Sequence, residues 1–309
     1  CNLASINLVK FLRDDGSFDV EAYRQAVRVF ITAMDIAVDF ASYPTEKICR
    51  NSHDYRPLGL GYANLGTMLM LLGIPYDSEE GRAWAGALTG ILCGHAYRTS
   101  AEIASSIGPF SGFKKNEKPM LDVIRMHRDA GHQLDQQACP PDLSKATQED
   151  WEEALRLGIE HGYRNSQATV IAPTGTIGLA LGCDTTGIEP DFALVKFKKL
   201  AGGGYFKIVN ESVPKALEQR GYTHQQIQDI IIYTVGTGTL RESPRINTDT
   251  LKQKGLNDDE IFKVEALLPS AFDLHLAFTP SVVGKECLTR LGFTDQQTNE
   301  SRFNLLHAL

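Results

Sequence analysis

The sequence predicts an α/β fold, and three observations carry that expectation. Long stretches place apolar residues at helical spacing, as Tyr23, Val27, Phe30, Met34 and Val38 do. Short β-branched runs separate such stretches, the clearest being Ala168-Thr169-Val170-Ile171 before Pro173. No internal repeat, low-complexity tract or linker interrupts the alternation, so residues 1–309 read as one domain.

In chain order, Cys1 to Leu12 alternates Leu3, Ile6, Leu8, Val9 and Phe11 with polar residues and predicts a strand or a strand-to-helix entry. Asp14-Asp15-Gly16-Ser17 is a turn, and a helix over 19–41 follows with Asp19 and Glu21 in its first turn. The glycine-rich run Arg56-Pro57-Leu58-Gly59-Leu60-Gly61 lacks a βαβ context, so it predicts close helix packing rather than dinucleotide binding. Ser78-Glu79-Glu80 opens a long helix that Gly108-Pro109 ends; His95, among its apolar residues, reads as a satisfied core histidine. Residues 109–144 are polar and irregular, with one helix over 120–132 on which His127 and His132 are exposed. Thr147-Gln148-Glu149-Asp150 resembles a capping box for a helix from Trp151 to Ile159, stopped at Gly162. Further on, helices are expected over 213–220, 224–235, 248–254 and 258–268, a strand over 269–278, and a last helix capped at Thr294 and running to Leu309.

Composition bounds the function. The chain is 42% hydrophobic and 22% charged, which is ordinary globular composition, and its net charge of −7 argues against a general nucleic-acid surface. No apolar run reaches the roughly 18 residues that a spanning helix needs. The first residues carry no signal-peptide pattern, so the cytoplasm is expected. Six cysteines at 1, 49, 93, 139, 183 and 287 share no Cys-x-x-Cys spacing, and the five after Cys1 are expected to be mostly buried, reduced thiols. The chain opens inside an apolar segment without Met and stops without a terminator, so a piece of a longer protein is expected. An intein junction before Cys1 and an arbitrary fragment end both fit that start.

The stretch with the most chemistry is Pro173-Thr174-Gly175-Thr176-Ile177-Gly178. A strand that delivers a Thr- and Gly-containing turn aims several backbone N–H groups one way and adds two hydroxyls, which suits a phosphate. No Gly-Lys-Ser/Thr closes it, so it is not a Walker A loop, and a plain structural turn uses the same residues. After it, Asp184, Glu189 and Asp191 do not follow EF-hand spacing, and no metal site is expected there. Lys196, Lys198 and Lys199 beside Gly202-Gly203-Gly204 suit either an anion or a solvated hairpin.

Four separated stretches resemble the large catalytic subunit of ribonucleotide reductase. Cys1-Asn2-Leu3-Ala4-Ser5-Ile6-Asn7-Leu8 resembles the segment just after the family's active-site cysteine loop. Arg56 to Gly61, with Leu69 to Ser78, resembles the glycine-rich helix that follows. Gly162-Tyr163-Arg164-Asn165-Ser166 through Pro173 resembles the family signature, with Tyr163 where an aliphatic residue is usual. Ala172 to Asp191, continuing to Asn210, is closest to the adenosylcobalamin-dependent class.

This resemblance implies the later part of a ten-stranded α/β barrel built of two five-stranded halves. The radical-bearing cysteine, the first redox cysteine and most of the allosteric region would precede Cys1, and a C-terminal cysteine pair would follow Leu309. Cys1 matches the second cysteine of the reducing pair, and Pro173, Thr174, Gly175, Thr176 and Ile177 match the loop that holds the substrate's phosphates. The implied reaction reduces a ribonucleoside di- or triphosphate to its 2′-deoxy form, with a thioredoxin-like reductant, in a homodimer when complete. Adenosylcobalamin is the implied radical source, because Tyr205, Tyr222 and Tyr233 include no adjacent pair for relay from a separate radical subunit. The class that uses such a subunit, and a non-catalytic nucleotide-binding module, are the alternatives.

Overall fold

The computed structural model describes every residue except 1, 192, 200–204, 242, 272 and 301–302, without side chains for 197–199, 205–209, 235 and 270. It divides into two compact units, Cys1–Phe192 and Ala193–Leu309.

The first unit is built on parallel strands. Strand β1 (Asn2–Asn7) runs into a 3-10 turn, Leu8–Phe11, as its alternating pattern predicts. Helix α1 (Val20–Phe40) starts where the Asp19 carboxylate accepts from the Ala22 N–H. Helix α2 (Glu46–Tyr55) ends at Arg56 in the left-handed region, φ 48°. The glycine-rich run is then a strand, β2 (Leu58–Ala63), paired in parallel with β1 from Asn2↔Leu58 to Asn7↔Ala63. This corrects the expectation of helix packing for that run. Its alternation of Leu58, Leu60 and Tyr62 with glycines puts the large side chains into the core. A Cβ on Gly61 would lie 2.2 Å from the Val170 carbonyl oxygen, so the glycine serves a close backbone approach.

Helix α3 (Leu65–Leu71) precedes the long α4 (Glu79–Ile107), which Ser78 caps through the Gly81 N–H. Residues 109–144 are more regular than their polarity suggests. Helix α5 (Phe113–His132) carries Pro119 inside it, and α6 (Pro141–His161) begins at Pro141. A proline fits the first helical position because its missing N–H would have no partner there. The capping box at Thr147 is therefore absent: Thr147 lies mid-helix and its hydroxyl donates to the carbonyls of Leu143 and Ala87. Gly162 ends α6 at φ 72°, as expected. His95 is a core histidine, its Nδ1 2.9 Å from the buried Asp150 carboxylate. His127 is exposed and stacks on Trp151 at 5.3 Å, and His132 is exposed beside Glu152.

Residues 167–170 flank β2 on the edge away from β1. Leu58 and Leu60 donate to the carbonyls of Gln167 and Ala168, and the Val170 N–H returns to Leu60. The pairing is a lone parallel bridge, Leu60↔Thr169, rather than the full buried strand expected; Ile171 is 37% exposed.

In the second unit, β3 (Val195–Lys199) and β4 (Tyr205–Val209) form an antiparallel hairpin that includes Lys196, Lys198 and Lys199, while Gly202-Gly203-Gly204 lies outside the described residues. Helices α8 (Val213–Gln219), α9 (His224–Val235), α10 (Thr248–Gln253) and α11 (Asp258–Leu267) follow the one-turn α7 (Ile177–Ala180) in chain order and match expectation closely. The strand expected over 269–278 is instead two 3-10 turns, Leu268–Ser270 and Leu274–Phe278, because the Asp273 side chain accepts from the His275 N–H and tightens the chain. Short helices α12 (Pro280–Val283), α13 (Lys285–Arg290), α14 (Asp295–Thr298) and α15 (Leu305–Ala308) close the unit. The last helix expected from Thr294 is thus split, although Thr294 does cap with Gln297. Among the described residues no helix is long and apolar enough to cross a membrane.

Candidate functional site

The parallel strands fix two ends of the first unit, and the polar residues divide between them. At the N-terminal ends sits a buried charge cluster. The Arg56 Nε donates to Asp35 at 2.8 Å, its Nη1 to Asp39 at 2.7 Å and its Nη2 to the Asp35 carbonyl at 2.7 Å. The Asn165 amide donates to Asp35 at 2.8 Å and to the Arg56 carbonyl at 3.1 Å, while Arg164 Nε reaches Asp35 at 3.3 Å. The segment Arg164-Asn165-Ser166 thus ties α1, α2 and the start of 167–170 together. It satisfies buried backbone and charge, which is structural work.

At the C-terminal ends sits the loop Pro173-Thr174-Gly175-Thr176-Ile177, continuing into α7. In parallel α/β sheets, ligands gather at this end of the strands. Thr174 takes φ 56° and is buried, and its hydroxyl accepts from the Gly187 N–H at 2.8 Å. Its carbonyl accepts from the Gly178 N–H, which closes the turn. Gly175, Thr176 and Ile177 are exposed. Among the described residues their N–H groups have no protein acceptor, and the Thr176 hydroxyl makes no cap bond. The five residues are therefore together as one turn, but the two hydroxyls differ: Thr174 shapes the loop and Thr176 faces solvent.

Residues missed in the sequence brace this loop. Asn64, at φ 74° between β2 and α3, donates from Nδ2 to Asn7 Oδ1 at 3.0 Å and accepts from the Thr185 N–H at 3.1 Å. Asn7 donates to the Leu181 carbonyl at 3.2 Å, and the Thr185 hydroxyl accepts from the Thr67 N–H at 3.1 Å. An asparagine between a strand and a helix, tolerant of the left-handed region, is the signal that marks this position.

Cys1, the expected redox thiol, lies outside the described residues. Its neighbour Asn2 opens β1 at the N-terminal end, where its amide donates to the Met34 carbonyl at 3.0 Å. Six residues of strand place that end about 20 Å from the loop end. The remaining thiols are free, and Cys93, Cys139, Cys183 and Cys287 are each pushed up to about 11, first by burial. A thiol so raised is a poor nucleophile at neutral pH. A cavity of about 800 Å³ opens beside Thr169, Val170 and Ile171, with Tyr62, Tyr76, Cys93, Tyr97, Trp151 and Ile188 in its wall. Asp184, Glu189 and Asp191 form no group of metal-ligand residues, and none occurs among the described residues.

Comparison with known proteins adds to this geometry. The model of the ribonucleotide reductase barrel domain matches residues 1–253. A vitamin B12-dependent ribonucleotide reductase from Bradyrhizobium diazoefficiens is 50% identical over all of this chain and 26% of its own length. The protein of that name from Agrobacterium fabrum is 49% identical over the same shares. A ribonucleoside-diphosphate reductase subunit alpha from Chlamydia muridarum is 29% identical over 80% of the chain and 23% of its own length. The chain spans about a quarter of the length of the curated relatives it matches.

Proposed function

The chain belongs to the ribonucleotide reductase barrel-domain family, and we propose that it forms the later part of the catalytic barrel of an adenosylcobalamin-dependent ribonucleotide reductase. The observation that carries the proposal is the loop at the C-terminal ends of the parallel strands, where the N–H groups of Gly175, Thr176 and Ile177 have no protein acceptor among the described residues. Those groups suit the di- or triphosphate of a ribonucleotide. The identities of 49–50% to relatives named B12-dependent, against 29% to the diphosphate reductase alpha subunit, favour the cobalamin class.

In this reading the phosphates sit on the 173–177 loop, and the ribose lies between that loop and β1, the strand that follows Cys1. Cys1 and a second thiol from the preceding part of the protein supply two electrons. The C2′–O bond breaks, the hydroxyl leaves as water with a proton from one thiol, C2′ gains the hydrogen of the other, and the sulfurs join as a disulfide. A thioredoxin-like dithiol reopens that disulfide. The ten-stranded barrel, the homodimer of the complete enzyme and a cytoplasmic setting belong to the same reading. No described residues identify a seat for a corrin, so no contact residue is assigned to adenosylcobalamin. Its chemistry when bound is radical generation by cobalt–carbon homolysis.

Reconstitution tests this. The chain is combined with a polypeptide carrying the preceding part of the reductase, and deoxyribonucleotide is assayed with adenosylcobalamin, ribonucleotide and dithiol. Cobalamin-dependent turnover is expected, and Cys1→Ser should abolish multiple turnover. Turnover that needs an added radical subunit instead would move the chain to that class. Nucleotide binding without any turnover would make it a non-catalytic module.

A further inference from the structure

Resting on that reading, we infer that Asn64 and Thr185 are positioning residues that set the shape and place of the phosphate loop. The loop itself has little to hold it. Gly175, Thr176 and Ile177 are exposed, and α7 is one turn long. Its place comes from a second loop, 181–190, folded against it. The Gly187 N–H donates to the Thr174 hydroxyl at 2.8 Å, and a Cβ on Gly187 would lie 2.9 Å from the Ala172 carbonyl oxygen. The second loop is in turn fastened to both strand ends. The Asn64 side-chain oxygen accepts from the Thr185 N–H, its amide holds Asn7 at the end of β1, and Asn7 holds the Leu181 carbonyl. The Thr185 hydroxyl accepts from the Thr67 N–H at the start of α3.

Every side chain in this chain of bonds is nearly inaccessible: Asn7 8%, Asn64 3%, Thr67 3%, Thr174 6% and Thr185 2% exposed. Buried and mutually satisfied, such bonds resist rearrangement. With the backbone between Thr185 and Gly187, they link β1 to Thr174, the residue just before the N–H groups proposed to receive phosphate. None of these side chains needs to touch the nucleotide. Their effect is preorganisation, which holds donors in place before the ligand arrives. Because Asn7 ends the strand that follows Cys1, the same bonds fix the phosphate seat relative to the strand of the proposed redox thiol.

The test uses the reconstituted enzyme. Thr185→Val removes the hydroxyl at nearly constant volume, and Thr185→Ser restores it. Asn64→Gly keeps the left-handed backbone accessible while removing the side-chain bonds to Asn7 and Thr185. Thr185→Val and Asn64→Gly should each raise KM for the ribonucleotide about tenfold, with kcat changed less than about threefold, and Thr185→Ser should return KM to within about twofold. Thermal unfolding of each variant confirms that it is folded. Thr176→Ala, at the exposed hydroxyl, reports on the loop separately. If Thr176→Ala raises KM while folded Thr185→Val and Asn64→Gly do not, the positioning inference falls and the phosphate reading stands. If none of the three raises KM, the phosphate reading falls and takes the inference with it. If Thr185→Ser is as impaired as Thr185→Val, packing rather than the hydroxyl is responsible, and the inference fails.

Discussion

The Tyr163 hydroxyl occupies the place where residue 158 would carry a side chain: a Cβ on Gly158 would lie 2.0 Å from it. That hydroxyl donates to the Ala154 carbonyl at 2.9 Å, and the ring packs edge-on against Tyr97 and Phe113. Tyr163 stands where the resembling signature carries an aliphatic residue, so the glycine in α6 is its complement. Gly158→Ala should destabilise the chain by about 2–3 kcal/mol, since overpacking outweighs the gain in helix propensity. Combined with Tyr163→Leu, the loss should be smaller than the sum of the two by at least about 1 kcal/mol. Urea unfolding of the two single variants and the double variant measures this coupling. Simple additivity would refute it.

Gly61 presents the same logic between backbones. The Val170 carbonyl oxygen is 2.2 Å from where its Cβ would be, and Val170 belongs to the segment that delivers the 173–177 loop. Neither main chain can yield as a flexible side-chain tip would. Gly61→Ala should therefore cost about 3 kcal/mol or more and shift the loop. The readout is a lowered urea midpoint together with a raised KM for nucleotide in the reconstituted enzyme. A stable variant with wild-type KM would show that the two segments separate easily.

The sequence disclosed what is local and hid what is distant. Asp19, Ser78 and Thr223 each cap a helix found where it was expected, because a cap acts within three residues. Thr147 misled because the same Thr-to-acid spacing also occurs inside a helix, where its hydroxyl bonds backward to Leu143. The run Leu58–Ala63 hid its strand because glycines replaced one half of the alternation. The 173–177 loop was legible from its Thr and Gly content, although its two threonines looked equivalent. Their difference depends on Gly187, and the brace beneath depends on Asn64 meeting Asn7 and Thr185, 57 and 121 residues away. No local pattern encodes such pairings.

Arg56 should be a pillar of stability and Asp39 a minor one. The Arg56 side chain is 4% exposed and bonds Asp35, itself 6% exposed, whereas the Asp39 side chain is 48% exposed. Removing one partner of a buried pair strands the other charge, so Arg56→Ala should cost about 3–5 kcal/mol. Arg56→Lys should recover little of this, because an ammonium cannot supply the fork that reaches Asp35 and Asp39 at once. Asp39→Ala should cost no more than about 1 kcal/mol, as water screens that pair. Chemical denaturation ranks the three; an Asp39 variant as damaged as Arg56→Ala would overturn the assignment.

The buried thiols predict an alkaline limit to stability. Cys93, Cys139, Cys183 and Cys287 hold their protons until about 11 in the folded chain, chiefly because burial disfavours the thiolate. In an unfolded chain a cysteine releases its proton near pH 8.5. Between those values the native state binds more protons than the unfolded state, so stability falls as pH rises. The contribution is fully present below about pH 8 and is lost progressively toward about pH 11. Burial raises Tyr97 and Tyr163 as well, which steepens the decline at its upper end. Urea midpoints at pH 8 and pH 10.5 should differ accordingly, and equal midpoints would sink the prediction. The same protonation slows alkylation, because the thiolate is the nucleophile. At pH 8 the buried Cys139, Cys183 and Cys287 should react with iodoacetamide only after unfolding. Cys1, as the proposed redox donor, should react in the native chain.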